Sequence, residues 1–380
     1  MIELEKKPIR VLHLVRKMDM GGVQMMLMNY YRGLDKKVVQ FDFIVQDFEE
    51  GYYDSEILQN GGFIFKVRPI KNPIGFYKDV NKILRNNEYS IIHIHENFRN
   101  VHALLLSYIN RIPNRISHSH NAYPEPSNLK KIIKANIKYL INILSTEKFA
   151  CSYHAANWLY GKKTSERGDV TILKNAINVD SFSFDSEIRD VVRSKLNLSD
   201  KIVIGHIGSF TEQKNHSFII KIFKELAIKN PNYHLLLIGE GPNQNKIKRE
   251  VNTMDLSGKV SFLGKKSDTN DLLQAFDLFL FPSLYEGLGM VLLEAQTSGL
   301  PIITSDEVPK EIVVTPLVTF QSLNKTPATW AESIEKKLNI FDRKNMKDKI
   351  IAHDYDIESQ CVKIQNLYLE MYNKSRKDLI

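Results

Sequence analysis

The sequence is poor in the features that mark several large protein classes. Its 380 residues include only two cysteines, Cys151 and Cys361, too few and too isolated for a disulfide framework or a thiolate metal site. Both are expected to be reduced packing residues. No apolar run approaches the roughly 20 residues that cross a bilayer. The first residues, MIELEKKPIRVLHLV, lack the basic start, long apolar core and small-residue cleavage site of a secretory leader, so the chain is expected in the cytoplasm. Lys17-Met18-Asp19-Met20-Gly21-Gly22-Val23, after the first apolar segment, has no G-x-G-x-x-G, which removes the dinucleotide fingerprint. Zinc knuckles and RNA-recognition sequences are missing too. The net charge of +8 is therefore not read as a nucleic-acid surface.

What is present is alternation. Short apolar segments at Ile9–Val15, Phe41–Val45, Phe63–Val67, Ile91–His95, Arg115–Ser119, Lys148–Cys151 and Val170–Leu173 are separated by stretches of helical period. The plan repeats at Ile202–Ile207, His234–Ile238, Val260–Phe262, Leu278–Phe281, Ile302–Thr304 and Leu317–Phe320. Strands alternating with helices imply parallel sheets covered on both faces, so the fold class is α/β with two doubly wound domains. The join is expected between Asn175 and Asp200, and the tail from Pro327 reads as helical.

The richest stretch is LFLFPSLYEGLGMVLLEAQTSGLPIITSDEVPKE, Leu278 to Glu311. It reads as strand, glycine loop, helix and strand. A helix entered through such a loop points its first unpaired N–H groups outward, where they attract an anion such as phosphate. Gly287 and Gly289 keep side chains out of that approach. Glu286 lies before the helix and Glu294 about one turn inside it, at ~1.5 Å per residue. Fixed acceptors on both sides of an anion cradle suit a nucleotide sugar. The same glutamates also fit a plain strand–helix–strand unit, as a loop residue and a helix-surface residue.

Other candidates follow other strands. Lys214, in GHIGSFTEQKNH, offers a point charge ahead of a helix, although a lone lysine is more often a surface group. Gly239-Glu240-Gly241-Pro242 reads as a pocket loop or an ordinary turn. His93-Ile94-His95 and His118-Ser119-His120 each put two imidazoles on one strand face, which keeps a zinc hydrolase open as a rival. Such a site also needs a third ligand. Asn128 to Ser145, NLKKIIKANIKYLINILS, spaces Lys130, Lys134 and Lys138 four apart, with Ile133, Ile137, Leu140, Ile141 and Leu144 on another side. It fits a helix lying on an anionic membrane, or one with its apolar stripe in the core and its lysines in water. Asp354-Tyr355-Asp356 is read as a turn or helix cap rather than a metal site.

FPSLYEGLGMVLLEAQTSGLPIITSD closely resembles the signature of the retaining glycosyltransferases of family 4 with the GT-B fold, especially bacterial enzymes of capsule and exopolysaccharide synthesis. The resemblance runs from the Gly21-Gly22 loop to the carboxy-terminal helices. It implies two Rossmann-like domains facing a cleft: an acceptor-binding domain over 1–178, a donor-binding domain over 179–356, and a terminal helix over 357–380 crossing back to the first. It implies a nucleotide-diphosphate sugar donor, UDP-linked, and a glycan acceptor that is often lipid-linked, with no metal and no other cofactor. By matching positions, His120 and Glu286 are catalytic. Gly22, Lys214, Gly239, Glu240, Leu263, Gly289, Met290, Val291 and Glu294 bind the donor, and His95 lies on the acceptor side. The place is then cytoplasmic, peripheral at the inner membrane face. One departure stands out: where the family usually carries arginine after the glycine of the second domain's first loop, this chain has Ser209. That leaves open a nucleotide-sugar epimerase or hydrolase of the same fold, or a non-catalytic nucleotide-sugar-binding protein.

Overall fold

A computed structural model of the chain describes residues 7–120, 128–339 and 343–377, with the side chains of 128–131 outside the description. The expected lysine at Lys130 falls there. The chain forms two compact units, Met1–Ile177 together with Asp354–Ile380, and Asn178–His353.

Unit 1 opens with β1 (Ile9–Val15), α1 (Gly22–Gly33), β2 (Val39–Val45), α2 (Asp54–Gln59), β3 (Ile64–Lys66), α3 (Pro73–Asn86) and β4 (Ile91–Ile94). It continues through α4 (Asn100–Ile109), β5 (Asn114–Ser119), α5 (Asn128–Leu144), β6 (Glu147–Ala150), α6 (Tyr153–Tyr160), α7 (Lys162–Glu166) and β7 (Thr171–Ile172). The seven strands are parallel, in the order β3-β2-β1-β4-β5-β6-β7. The inner strands are apolar on both faces because helices cover both: β2 is buried at every residue. It starts at Val39, two residues earlier than the apolar run suggests, because Val39 and Gln40 pair with Ile9 and Arg10 of β1. The outermost strands, β3 and β7, have one neighbour each and are shorter than their apolar runs. Local sequence sets the helix starts. Asn72 accepts from the Gly75 amide with Pro73 in the first turn of α3, and Ser152 accepts from the Ala155 amide at α6.

Unit 2 comprises α8 (Val179–Phe182), α9 (Ser186–Lys195), β8 (Ile202–Ile207), α10 (His216–Lys229), β9 (Tyr233–Ile238), α11 (Gln244–Thr253) and β10 (Val260–Phe262). There follow α12 (Thr269–Gln274), β11 (Leu278–Phe281), α13 (Met290–Thr297), β12 (Ile302–Ser305), β13 (Val318–Gln321), α14 (Pro327–Asn339) and α15 (Lys347–Ala352). Its six parallel strands run β10-β9-β8-β11-β12-β13. Both sheets are doubly wound, with the order reversing between β1 and β4 in unit 1 and between β8 and β11 in unit 2.

The last helix, α16 (Ile357–Lys377), belongs to unit 1. The Ile177 amide donates to the Tyr355 carbonyl and the Ile357 amide donates to the Ile177 carbonyl, both at 3.0 Å. The three residues before α16 are thereby tied to unit 1, so the division falls at His353 and not at 356. Asp356 caps α16 through the Ser359 amide, while Tyr355 is buried. Ile357, Cys361, Ile364, Tyr368 and Met371 join the core cluster of α1, β1 and β2. Ending the chain after Asp356 strips these side chains, each worth about 1.5–3 kcal/mol when buried. Thermal or urea unfolding of the truncated chain should then show unit 1 melting far below the full chain, and an unchanged melt would refute this packing.

Candidate active site

In doubly wound sheets ligands lie beyond the carboxyl ends of the strands where the order reverses. In unit 2 that place is built from the loops after β8 and β11. They are stitched together: the Leu284 amide donates to the Gln213 carbonyl at 2.8 Å, Gln213 Nε2 to the Tyr285 carbonyl at 2.9 Å, and Asn215 Nδ2 to the Pro282 carbonyl at 3.2 Å. The stitching brings Lys214 Nζ to 2.5 Å from Glu286 Oε1 and 4.5 Å from the centre of the Phe281 ring. Both side chains are largely shielded, at 14% and 7% exposure. The cation expected for a diphosphate is thus paired internally with the carboxylate expected nearer the sugar.

Gly289 adopts φ +83° directly before α13, a conformation that L side chains strain to reach, and no side chain of the described residues caps the helix there. The amides of Met290 and Val291 open α13, and Glu294 lies one turn on. Glu294 is buried, and desolvation alone lifts its carboxyl to about 7. Gly239 follows β9 with φ +136°, and a Cβ there would sit 2.1 Å from the Gly208 carbonyl oxygen. Only glycine lets the β9 and β8 loops approach so closely. Glu240 is the next residue, its Oε1 accepting from the Lys265 amide at 3.4 Å. Leu263 follows β10, its amide donating to the Leu237 carbonyl at 3.0 Å. All the unit 2 candidates therefore sit at the carboxyl edge of one sheet, while Ser209 is exposed.

Sequence reading assigned no role to His206 and His216. His206 Nδ1 hydrogen-bonds the Leu280 carbonyl at 2.8 Å, and His216 stacks on Phe210 with 4.0 Å between centroids. Burial lowers the pKa of both, His216 to about 4. The two neutral rings form the floor of the β8 loop.

In unit 1, Gly22, His95 and His120 gather at the corresponding edge, after β1, β4 and β5. A Cβ added at Gly22 would meet nothing within 4 Å, so the start of α1 is open. The histidines are a larger group than the two expected pairs. His13 of β1 lies beside His93 in the parallel register, and His93, His95, His118 and His120 share its face. His93 and His118 are fully enclosed. His93 Nδ1 meets the Tyr368 hydroxyl at 2.8 Å and His93 Nε2 meets His118 Nδ1 at 3.0 Å. A second run joins His13 Nδ1 to His95 Nε2 at 3.0 Å and His95 Nδ1 to His120 Nε2 at 2.8 Å. Burial depresses all five pKa values, those of His13 and His120 to about 3, so the cluster is uncharged at neutral pH. The sequence signal for His13 was present, an imidazole of matching parity on a neighbouring strand, but only register makes it visible.

Helix α5 departs from the arrangement that puts its apolar stripe in the core and its lysines in water. Of the apolar stripe, Ile141 is buried, Ile137 and Leu144 are half-buried, and Ile133 and Leu140 are exposed together with Ile132, Tyr139 and Ile143. The lysines lie against the protein instead: Lys134 and Lys138 place their ammonium groups 5.1 and 5.9 Å from the Phe98 ring centre. Among the described residues no helix is long and apolar enough to cross a membrane.

Residues 20–181 match the family described as Glycosyltransferase Family 4, and residues 188–352 match Glycosyl transferases group 1. EpsF of Bacillus subtilis (strain 168) is 34% identical over 94% of this chain and 96% of its own. UDP-Gal:alpha-D-GlcNAc-diphosphoundecaprenol alpha-1,3-galactosyltransferase of Escherichia coli is 24% identical over 96% of this chain and 97% of its own. Among solved structures, Anabaena HepE in complex with UDP and glucose superposes with a TM-score of 0.76 at 17% identity, covering 95% of this chain and 100% of that one. With one relative matched above 30% identity along nearly its whole length, and both halves matching family descriptions in register with the two units, the chain belongs to glycosyltransferase family 4 and is a glycosyltransferase.

Proposed function

We propose that the enzyme transfers a sugar from a UDP-linked donor to a growing polysaccharide intermediate carried on a lipid, with retention of anomeric configuration and no metal ion in the transfer step. The observation that carries this reading is the meeting of Lys214, Glu286 and the Gly289 start of α13 where the strand order of unit 2 reverses. A cation and open helix amides fit a diphosphate, and the adjoining carboxylates fit sugar hydroxyls. The Escherichia coli relative is named for a UDP-sugar donor and a diphosphoundecaprenol acceptor, which supports the same pairing here.

In the proposed step the bond from the anomeric carbon to the leaving phosphate oxygen breaks and a bond to the acceptor oxygen forms on the same face. The acceptor proton passes to the departing phosphate. Charge growing on the diphosphate is met by Lys214 and the amides of Gly289, Met290 and Val291. Glu294 accepts from the ribose hydroxyls, Glu286 holds the transferred sugar, and Gly239, Glu240 and Leu263 border the nucleotide. His120 and Gly22 serve the transferred sugar and His95 the acceptor side. Neutral at working pH, His120 acts as a hydrogen-bond partner rather than a general acid.

The test is a panel of UDP, GDP and ADP sugars. UDP sugars should raise the melting temperature most, because a ligand of the folded state stabilises it. Transfer should require an added acceptor, survive EDTA, and give an α-linked product from an α-linked donor by NMR. Donor consumption without acceptor would mean an epimerase or hydrolase, binding without turnover a sensor, and a β-linked product an inverting enzyme.

The exposed face of α5 supports peripheral binding at an anionic membrane, with Ile132, Ile133, Tyr139, Leu140 and Ile143 entering the interface and the basic chain adding attraction. In flotation with phosphatidylglycerol vesicles, Ile133→Asp with Ile143→Asp should leave the protein in the bottom fraction while the parent floats. Equal flotation of both would remove α5 as the contact.

A further inference from the structure

The hydrogen-bonded histidines of unit 1 do not close on themselves. A neutral imidazole carries one N–H, so the run His13···His95···His120 has three protons for two hydrogen bonds. Whichever way the bonds point, one terminal nitrogen keeps a proton and the other a bare lone pair. Those terminal atoms, His13 Nε2 and His120 Nδ1, are buried without a hydrogen-bond partner among the described residues, as is His118 Nε2 at the end of the other run. Buried polar atoms without partners are uncommon and call for an explanation.

Geometry supplies one. One ligand nitrogen from each of His95, His118 and His120 lies within 4.8 Å of the other two. The rings are 4.0 to 5.4 Å apart between centroids. In a tetrahedral zinc site each nitrogen sits about 2.0–2.1 Å from the ion, so modest side-chain rotations bring three nitrogens into range. The geometry points to a binding site for one divalent transition-metal ion, zinc in the first instance, formed by His95, His118 and His120 with its fourth position open.

The ion takes the place of the proton between His95 Nδ1 and His120 Nε2, that proton moves to His120 Nδ1, the bare terminal nitrogen of the run, and His118 Nε2 completes the set. No proton leaves the protein. His95 keeps its N–H on Nε2 and donates to His13 Nδ1, and His118 keeps its own on Nδ1 and donates to His93 Nε2. His93 in turn donates from Nδ1 to the Tyr368 hydroxyl oxygen. The far nitrogens of two ligands are thus held by second-layer partners, as in established zinc sites. The other convergent trio, His13, His93 and His95, has both nitrogens of His93 and of His95 already engaged, so it is the weaker ligand set. His95 and His120 follow their strands, at the carboxyl edge of the sheet.

This metal is not a cofactor of transfer. Where His120 serves the transferred sugar, an ion on it withdraws it, so zinc inhibits and a chelator restores activity; that consequence rests on the transferase reading, and the binding does not. The experiment is zinc titration of the full-length protein against a chromophoric chelator, with elemental analysis after gel filtration. One zinc per chain is expected. His118→Gln and His120→Asn, each checked for folding by circular dichroism, should lose stoichiometric binding, and His93→Gln should weaken it about 10–100-fold. His13→Gln, which removes the partner of His95 Nε2 but no ligand, should likewise weaken it without abolishing it. Failure of the wild type to take up zinc, or equal uptake by a folded His118→Gln or His120→Asn variant, overturns the site whatever the outcome of the transfer assays.

Discussion

Lys214→Met is expected to lower kcat for sugar transfer by about 10²–10³-fold, the usual loss when one preorganised group facing developing charge is removed. The same change should weaken binding of UDP itself, since a hydrogen bond to a charged group contributes about 1.5–3 kcal/mol, or roughly 10–150-fold. Glu286→Gln should act in the opposite sense on UDP. In the free enzyme Glu286 holds the Lys214 ammonium at 2.5 Å, so neutralising it releases the cation for the diphosphate. UDP should then bind more tightly while transfer is lost. Stability separates these effects from misfolding. Removing Lys214 leaves a buried carboxylate without its partner, at a cost of about 3–5 kcal/mol. The double variant Lys214→Met, Glu286→Gln removes that penalty and should melt near the parent temperature without regaining turnover. Calorimetric titration with UDP checks the opposed signs, and UDP affinity unchanged by either single substitution would remove the pair from the donor site.

The parts of this site legible in the sequence are those written in consecutive residues. Leu278–Phe281 reads as a buried strand because all four residues are apolar, and Gly289 marks the turn because its positive φ suits glycine. Alternating strands and helices gave the doubly wound class for the same reason. What the sequence could not show depends on residues far apart in the chain. The Lys214–Glu286 pair spans 72 residues and exists only because β8 and β11 are neighbours where the order reverses. The histidine cluster required the register that aligns His13 with His93 and the helix α16 that delivers Tyr368, 275 residues from its partner. Helix α5 stayed ambiguous for a related reason. Its periodicity identifies two faces but not which one packs, and the rings of Phe98 and Trp158 draw the lysine side inward.

Glu294 should make donor binding and stability respond to pH in opposite ways. Its carboxyl is held at about 7 in the folded chain by burial, against an ordinary value of 4.5. Because the folded state holds this proton more tightly than the unfolded state does, the contribution of Glu294 to stability falls as pH rises from 4.5 to 7. At about 1.36 kcal/mol per pH unit the full penalty above pH 7 is roughly 3 kcal/mol. Glu294→Gln, which cannot ionise, should therefore unfold at higher urea than the parent at pH 8, with the gap closing toward pH 5. The ionised carboxylate is the stronger acceptor for ribose hydroxyls, so the parent should bind a UDP-sugar more tightly as pH rises from 6 to 8. A diphosphate diester has no titration of its own in that interval to confuse the measurement. The glutamine variant should bind the donor weakly and with little pH dependence across the same range. The enzyme then keeps, at a place where an uncharged side chain would fold better, a group whose buried charge is useful only when a donor is present. If Glu294→Gln destabilises the chain at pH 8, or binds the UDP-sugar as the parent does, this carboxylate has a packing role and the ribose must be held elsewhere.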